Sequence, residues 1–167
     1  AREMPDWEQH VLAETAGIEA GCSALQARHS LSAAHARAKR LAGEDEEPTA
    51  ASIWSEYCVA IGIPKQVGTQ LCAHELKLLE MTSIASGEAL KFVAAIENLR
   101  LPWIVCSDTR WPATLLSGLL RGKGFAIAPE SIFCSCDHRK SKFRGGLYSI
   151  AYQHMVEALE RHVPRSA

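Results

Sequence analysis

Residues 102–147 constrain this chain more than any other stretch. Trp103-Ile-Val-Cys-Ser-Asp-Thr109 carries a short apolar run into the polar group Ser107, Asp108 and Thr109. A segment with helical character follows, from Trp111 to Arg121. A second apolar run, Ser131-Ile-Phe-Cys-Ser-Cys136, then leads into the basic Arg139-Lys-Ser-Lys-Phe-Arg-Gly-Gly-Leu147. A short continuous apolar run bounded by turn residues reads as a strand buried on both faces. Two such strands joined by a helix make a βαβ unit, and the connection in such units is almost always right-handed. Ligands of parallel sheets bind beyond the carboxyl ends of the strands, where Ser107, Asp108 and Lys142 fall.

The preceding 100 residues read as helices. Asp6 suits an N-cap for a helix through Trp7, Val11 and Leu12. Residues 22–42 are rich in Ala, Leu, Arg and Lys, with Leu25, Leu31, Ala34, Ala38 and Leu41 on an approximate stripe. The acidic Glu44-Asp-Glu-Glu47 reads as a loop that places negative charge ahead of the next helix, where it is favourable. That helix runs from Thr49 to about Ile61, with Ile53, Trp54, Tyr57 and Ile61 on one face, and Gly62-Ile-Pro64 breaks it. Further helices are predicted over residues 65–81, over 87–99 with Ser86 as a cap, and from about Gly146 to Arg161. In this last helix Leu147, Ile150, His154, Val156 and Leu159 are the inward candidates.

At 167 residues the chain is long enough for one core, or for a small core beside a helical subdomain. Apolar content of 47% with 22% charged residues is that of a globular protein. A net charge of -1 gives no electrostatic case for nucleic acid or an anionic membrane. No apolar run reaches the roughly 20 residues of a membrane span. The six cysteines, with no secretory signal pattern at Ala1, are expected to be free thiols in a cytoplasmic protein. The lack of an initiating Met fits a processed or excerpted chain. Cys134-x-Cys136 with His138 lacks the usual zinc spacing and reads as strand packing.

The residues of the constraining stretch resemble the haloacid dehalogenase (HAD) superfamily, whose members are mostly phosphatases acting through an aspartyl-phosphate. Ser107-Asp108, followed by a helix, is similar to the family's second motif. Lys142, Gly145, Leu147 and Tyr148 are similar to a Lys-x-x-Gly-x-Leu-aromatic form of its third. Arg37, Glu47, Thr49, Ile53, Trp54, Glu75 and Glu80 loosely match a helical cap of the same subgroup, though an acidic residue expected in the Ala-rich helix is missing. The resemblance implies an α/β fold: a partial Rossmann-like HAD core of βαβα order at 101–167, preceded by an α-helical cap at 1–100.

The resemblance also implies roles. Ser107 and Lys142 would be catalytic, and Ser107, Asp108 and Thr109 would bind substrate, a small phosphorylated compound. Lys140 is the alternative if the loop register shifts by two. The family's Asp-x-Asp nucleophile motif and its acidic fourth motif are absent: before residue 20 the only Asp is Asp6, and none follows Lys142. The complete family domain uses Mg2+, while this chain alone supports no cofactor. The expectation is therefore an incomplete phosphohydrolase, inactive by itself. The alternative is a non-catalytic binding or scaffold module derived from the same fold. Loss of the first-motif strand would leave the Trp103–Ser107 strand edge unpaired, so self-association is expected.

Overall fold

A computed structural model describes residues 6–43 and 47–162. These residues are mostly helical, with one small parallel sheet. They fall into two compact units that divide at residues 83 and 84. The helix over 87–98, read from sequence with the helical region, counts with the second unit.

The first unit contains four helices: α1 (Asp6–Glu19), α2 (Ala24–Ala42), α3 (Ala50–Ile61) and α4 (Lys65–Thr82). Their ends are written in the sequence. The Ser23 hydroxyl accepts the Gln26 N–H at the start of α2, and the Thr49 hydroxyl accepts the Ser52 N–H at 3.1 Å at the start of α3. Each satisfies an amide that has no partner within the helix. Gly62 ends α3 with φ +76, a left-handed conformation that costs glycine little. The interior is built on small residues. Ala13 and Ala16 of α1 and Ala27, Leu31, Ala34 and Ala38 of α2 are buried, and Ile53, Trp54, Tyr57 and Cys58 of α3 pack into the same unit. Fully burying Trp54, Tyr57, Leu31 and Ile53 stabilises by roughly 1.5–3 kcal/mol for each such side chain. Leu25 and Leu41, expected on the α2 stripe, lie at its two ends and are exposed. Met81 on α4 is exposed as well.

Two polar groups are satisfied inside this core. The Trp54 indole N–H donates to Glu75 Oε2 at 2.6 Å, and both side chains are fully buried. The Tyr57 hydroxyl donates to the Ala13 carbonyl oxygen, tying α3 to α1.

The second unit holds α5 (Gly87–Asn98), β1 (Val105–Ser107), α6 (Ala113–Gly122), β2 (Ile132–Cys134), a single turn α7 (Ser135–His138) and α8 (Gly146–His162). The Ser86 hydroxyl accepts the Ala89 N–H at the start of α5, as the sequence predicts. β1 and β2 pair in parallel, with Val105 opposite Ile132, Cys106 opposite Phe133 and Ser107 opposite Cys134. Side chains alternate between faces along a strand. Accordingly, Ile132 and Cys134 pack with Val105, Leu116 and Leu120 on one side. Phe133 packs with Cys106, Leu147 and Ala151 on the other.

Both strands are shorter than the sequence suggests. β2 is buried throughout, while β1 is only half-buried. The second strand stops at Cys134 because Ser135 and Cys136 turn into α7, where the Ser135 carbonyl accepts the Arg139 N–H. Leu159, placed inward on α8, is instead 41% exposed. None of the six cysteines is in a disulfide.

Candidate active site

The site forms where β1 and β2 end side by side. Ser107 is the last residue of β1, and its partner in register is Cys134, the last of β2. By alternation the Ser107 side chain lies on the face of Val105 and Cys134. Beyond this point there is no ladder to hold the two tips together. Three side chains replace it.

Asp108 Oδ1 accepts the backbone N–H of Lys142 at 2.7 Å, across 34 positions of sequence. The Ser135 hydroxyl accepts the Thr109 N–H at 2.9 Å and donates to the Thr109 carbonyl oxygen at 3.2 Å. Asp137 Oδ2 accepts the Ala113 N–H at 2.7 Å, the first amide of α6. An acidic side chain there also meets the positive end of the helix dipole. Thr109 contributes one more bond, its hydroxyl accepting the Trp111 N–H at 3.2 Å.

The loop that carries Lys142 is shaped by glycine. Gly145 has φ +79, and its N–H donates to the Lys142 carbonyl oxygen at 2.9 Å. A side chain is disfavoured at that angle. The Leu147 N–H donates to the Ser141 carbonyl oxygen, and the Leu147 side chain is fully buried. The Lys-x-x-Gly-x-Leu spacing thus has a physical meaning: a lysine held on a tight turn, a glycine that closes the turn, and a leucine that anchors it to the sheet. Tyr148 is half exposed. The stem of Lys140 lies over Gly146, where an added Cβ would meet its Cδ at 3.1 Å. Its backbone N–H donates to the Ser135 carbonyl oxygen.

The charges converge on β1. Burial pushes the Cys106 thiol up from its ordinary value, the positive charge of Lys142 pulls it back, and the carboxylate of Asp108 pushes it up again. Cys134 and Cys136 are each pushed up to about 12, chiefly by burial. They are small apolar packing groups rather than nucleophiles. His138 stacks on Phe133, with ring centroids 5.4 Å apart. His154 meets the same ring edge-on at 5.1 Å.

Ser107, Asp108, Thr109 and Lys142, singled out from sequence, thus meet at one end of the sheet. Ser135 and Asp137 were not singled out. The signal for Ser135 was a small polar residue directly following an apolar strand on the ligand side of the sheet. Among the described residues no three His, Cys, Asp or Glu side chains gather into a group able to hold a metal ion. Asp108, the carboxylate next to Ser107 in sequence, accepts the Lys142 N–H through Oδ1.

A separate apolar cavity of about 460 Å³ lies within the second unit, lined by Phe92, Val93, Ile96, Trp103, Val105 and Leu120 among others. It flanks β1 and includes neither Ser107 nor Lys142. No helix among the described residues is long and apolar enough to cross a membrane. Comparison with protein-family models, with curated proteins and with solved structures finds no match to this chain.

Proposed function

We propose that the second unit is the phosphate-holding part of a HAD-like phosphohydrolase, with a Rossmann-like core of which this chain supplies the β1-α6-β2-α8 portion. One observation carries the reading. The parallel strands end in register, and the loop bearing Lys142 is bonded to the residue next to Ser107. Ser107 and the loop bearing Lys142 thus lie together at the carboxyl end of a parallel sheet, where ligands of such sheets bind.

Transfer of a phosphoryl group needs donors for the charge on its equatorial oxygens. On this reading Ser107 supplies a short donor and Lys142 a point charge. The carboxylate nucleophile required for an aspartyl-phosphate is not among these residues, and neither are the acidic ligands for the Mg2+ that such a domain uses to screen an anionic ester. They would come from outside these 167 residues. By the same resemblance the four helices of the first unit correspond to the family's cap region, and the substrate would be a small phosphorylated compound.

Titrating the purified chain with inorganic phosphate, followed by amide chemical shifts, tests the reading. Shifts confined to residues 107–109 and 139–147 are expected, together with no hydrolysis of an aryl phosphate with or without Mg2+. A chain that binds phosphate at these loops without turnover, even when the missing motifs are supplied in trans, would instead be the binding module. Magnesium-dependent turnover that survives both Ser107→Ala and Lys142→Ala would place the chemistry elsewhere.

A further inference from the structure

We infer that Asp108 is a positioning residue for Lys142 and makes no contact with the ligand itself. The inference rests on the phosphate site proposed above. The sheet fixes Ser107 and Cys134 opposite each other and then stops. Lys142 lies eight residues past the end of β2, on a turn that no strand pairing holds. For a serine hydroxyl and a lysine ammonium to engage one phosphate, both must be held to within a fraction of an ångström. The Asp108 carboxylate supplies that restraint by accepting the Lys142 N–H at 2.7 Å. A charged acceptor makes this bond stronger than a neutral one would.

Electrostatics argues against the other role. A carboxylate aimed at a phosphate dianion would repel it, whereas one turned onto a backbone amide beside a lysine is partly compensated. Thr109 is committed in the same way. Its N–H and carbonyl both bond to the buried Ser135, and its hydroxyl accepts the Trp111 N–H. Of the three polar residues at this tip, Ser107 and the hydroxyl proton of Thr109 are left to donate to the ligand. Asp108 holds the Lys142 amide and Ser135 holds the Thr109 backbone, next to Ser107 in the chain.

The experiment compares Asp108→Asn with Asp108→Ala. Both remove the charge, but only the asparagine keeps a carbonyl oxygen where Oδ1 stands. Two readings are taken on the full chain: hydrogen exchange at the Lys142 amide, and affinity for inorganic phosphate. In Asp108→Ala the Lys142 amide should exchange at least tenfold faster than in the wild type. Phosphate should bind about tenfold more weakly than to Asp108→Asn, whose exchange should fall between Asp108→Ala and the wild type, because its neutral oxygen makes a weaker bond than the carboxylate. The Ala151 amide on α8 reports whether the fold is intact.

Equal phosphate affinity in the two variants, with Lys142 protected in both, would overturn the inference. So would a wild-type Lys142 amide that exchanges at the rate of an unstructured peptide, a result that needs no variant to fold. If Lys142 is protected through Asp108 but the wild type binds no phosphate, the brace stands and the phosphate reading fails.

Discussion

Tyr57 shows how a single side chain records the packing around it. It is fully buried and donates to the Ala13 carbonyl oxygen. Burial pushes its hydroxyl up to about 12, from an ordinary value of 10.0. The protonated form is favoured by folding, so the stability it contributes is complete below pH 10 and is lost as pH rises from 10 through 12. Two pKa units correspond to roughly 3 kcal/mol. Urea midpoints measured between pH 9 and 12 should fall more steeply for the wild type than for Tyr57→Phe. Parallel curves would mean that the hydroxyl is solvated in the folded chain. Tyr57 and Trp54 were legible as one apolar face of a helix. Their polar partners were not, because Ala13 and Glu75 lie 44 and 21 positions away and belong to other helices.

At the scale of elements, two glycines make opposite predictions. Gly17 of α1 lies so close to α2 that an added Cβ would stand 2.7 Å from the Ala27 Cβ. Gly17→Ala should therefore cost about 1–3 kcal/mol through overpacking, read as a lower melting temperature. Gly118 within α6 faces open space, with nothing within 4 Å of an added Cβ. Gly118→Ala should gain roughly 0.5–1 kcal/mol through helix propensity. If Gly17→Ala is also stabilising, the close approach of α1 and α2 is wrong. Helix ends were readable because Thr49, Ser86 and Gly62 are local signals. Strand length was less so. An apolar run reads as strand for as long as it lasts, yet Ser135 and Cys136 leave the sheet to form a helical turn. There the Ser135 hydroxyl accepts the Thr109 N–H, a partner 26 positions away that no window of neighbouring residues contains.

For the whole molecule, the sheet sets the expectation. It has two strands among the described residues, so β1 pairs along one edge only. Near that strand Phe92, Leu99 and Leu101 are exposed. A strand edge beside apolar surface invites pairing with another chain. We expect concentration-dependent self-association in light scattering; a monodisperse monomer at high concentration would contradict it. The sequence indicated a helical region, then two strands bridged by a helix, and it placed Ser107 and Lys142 at the strand tips. It assigned α5 to the helical region because periodicity marks a helix without saying which unit it joins.

The claim on which the rest depends is that Ser107 and Lys142 hold a phosphate together. The direct measurement is calorimetric titration of inorganic phosphate into the wild type, Ser107→Ala, Lys142→Ala and the double variant. Hydrogen bonds involving a charged group are worth about 1.5–3 kcal/mol, so each single variant should bind at least tenfold more weakly. The double variant should lose less than the sum of the two, because both groups act on one ligand. Wild-type affinity retained in the double variant, or no phosphate binding by the wild type, would contradict the account.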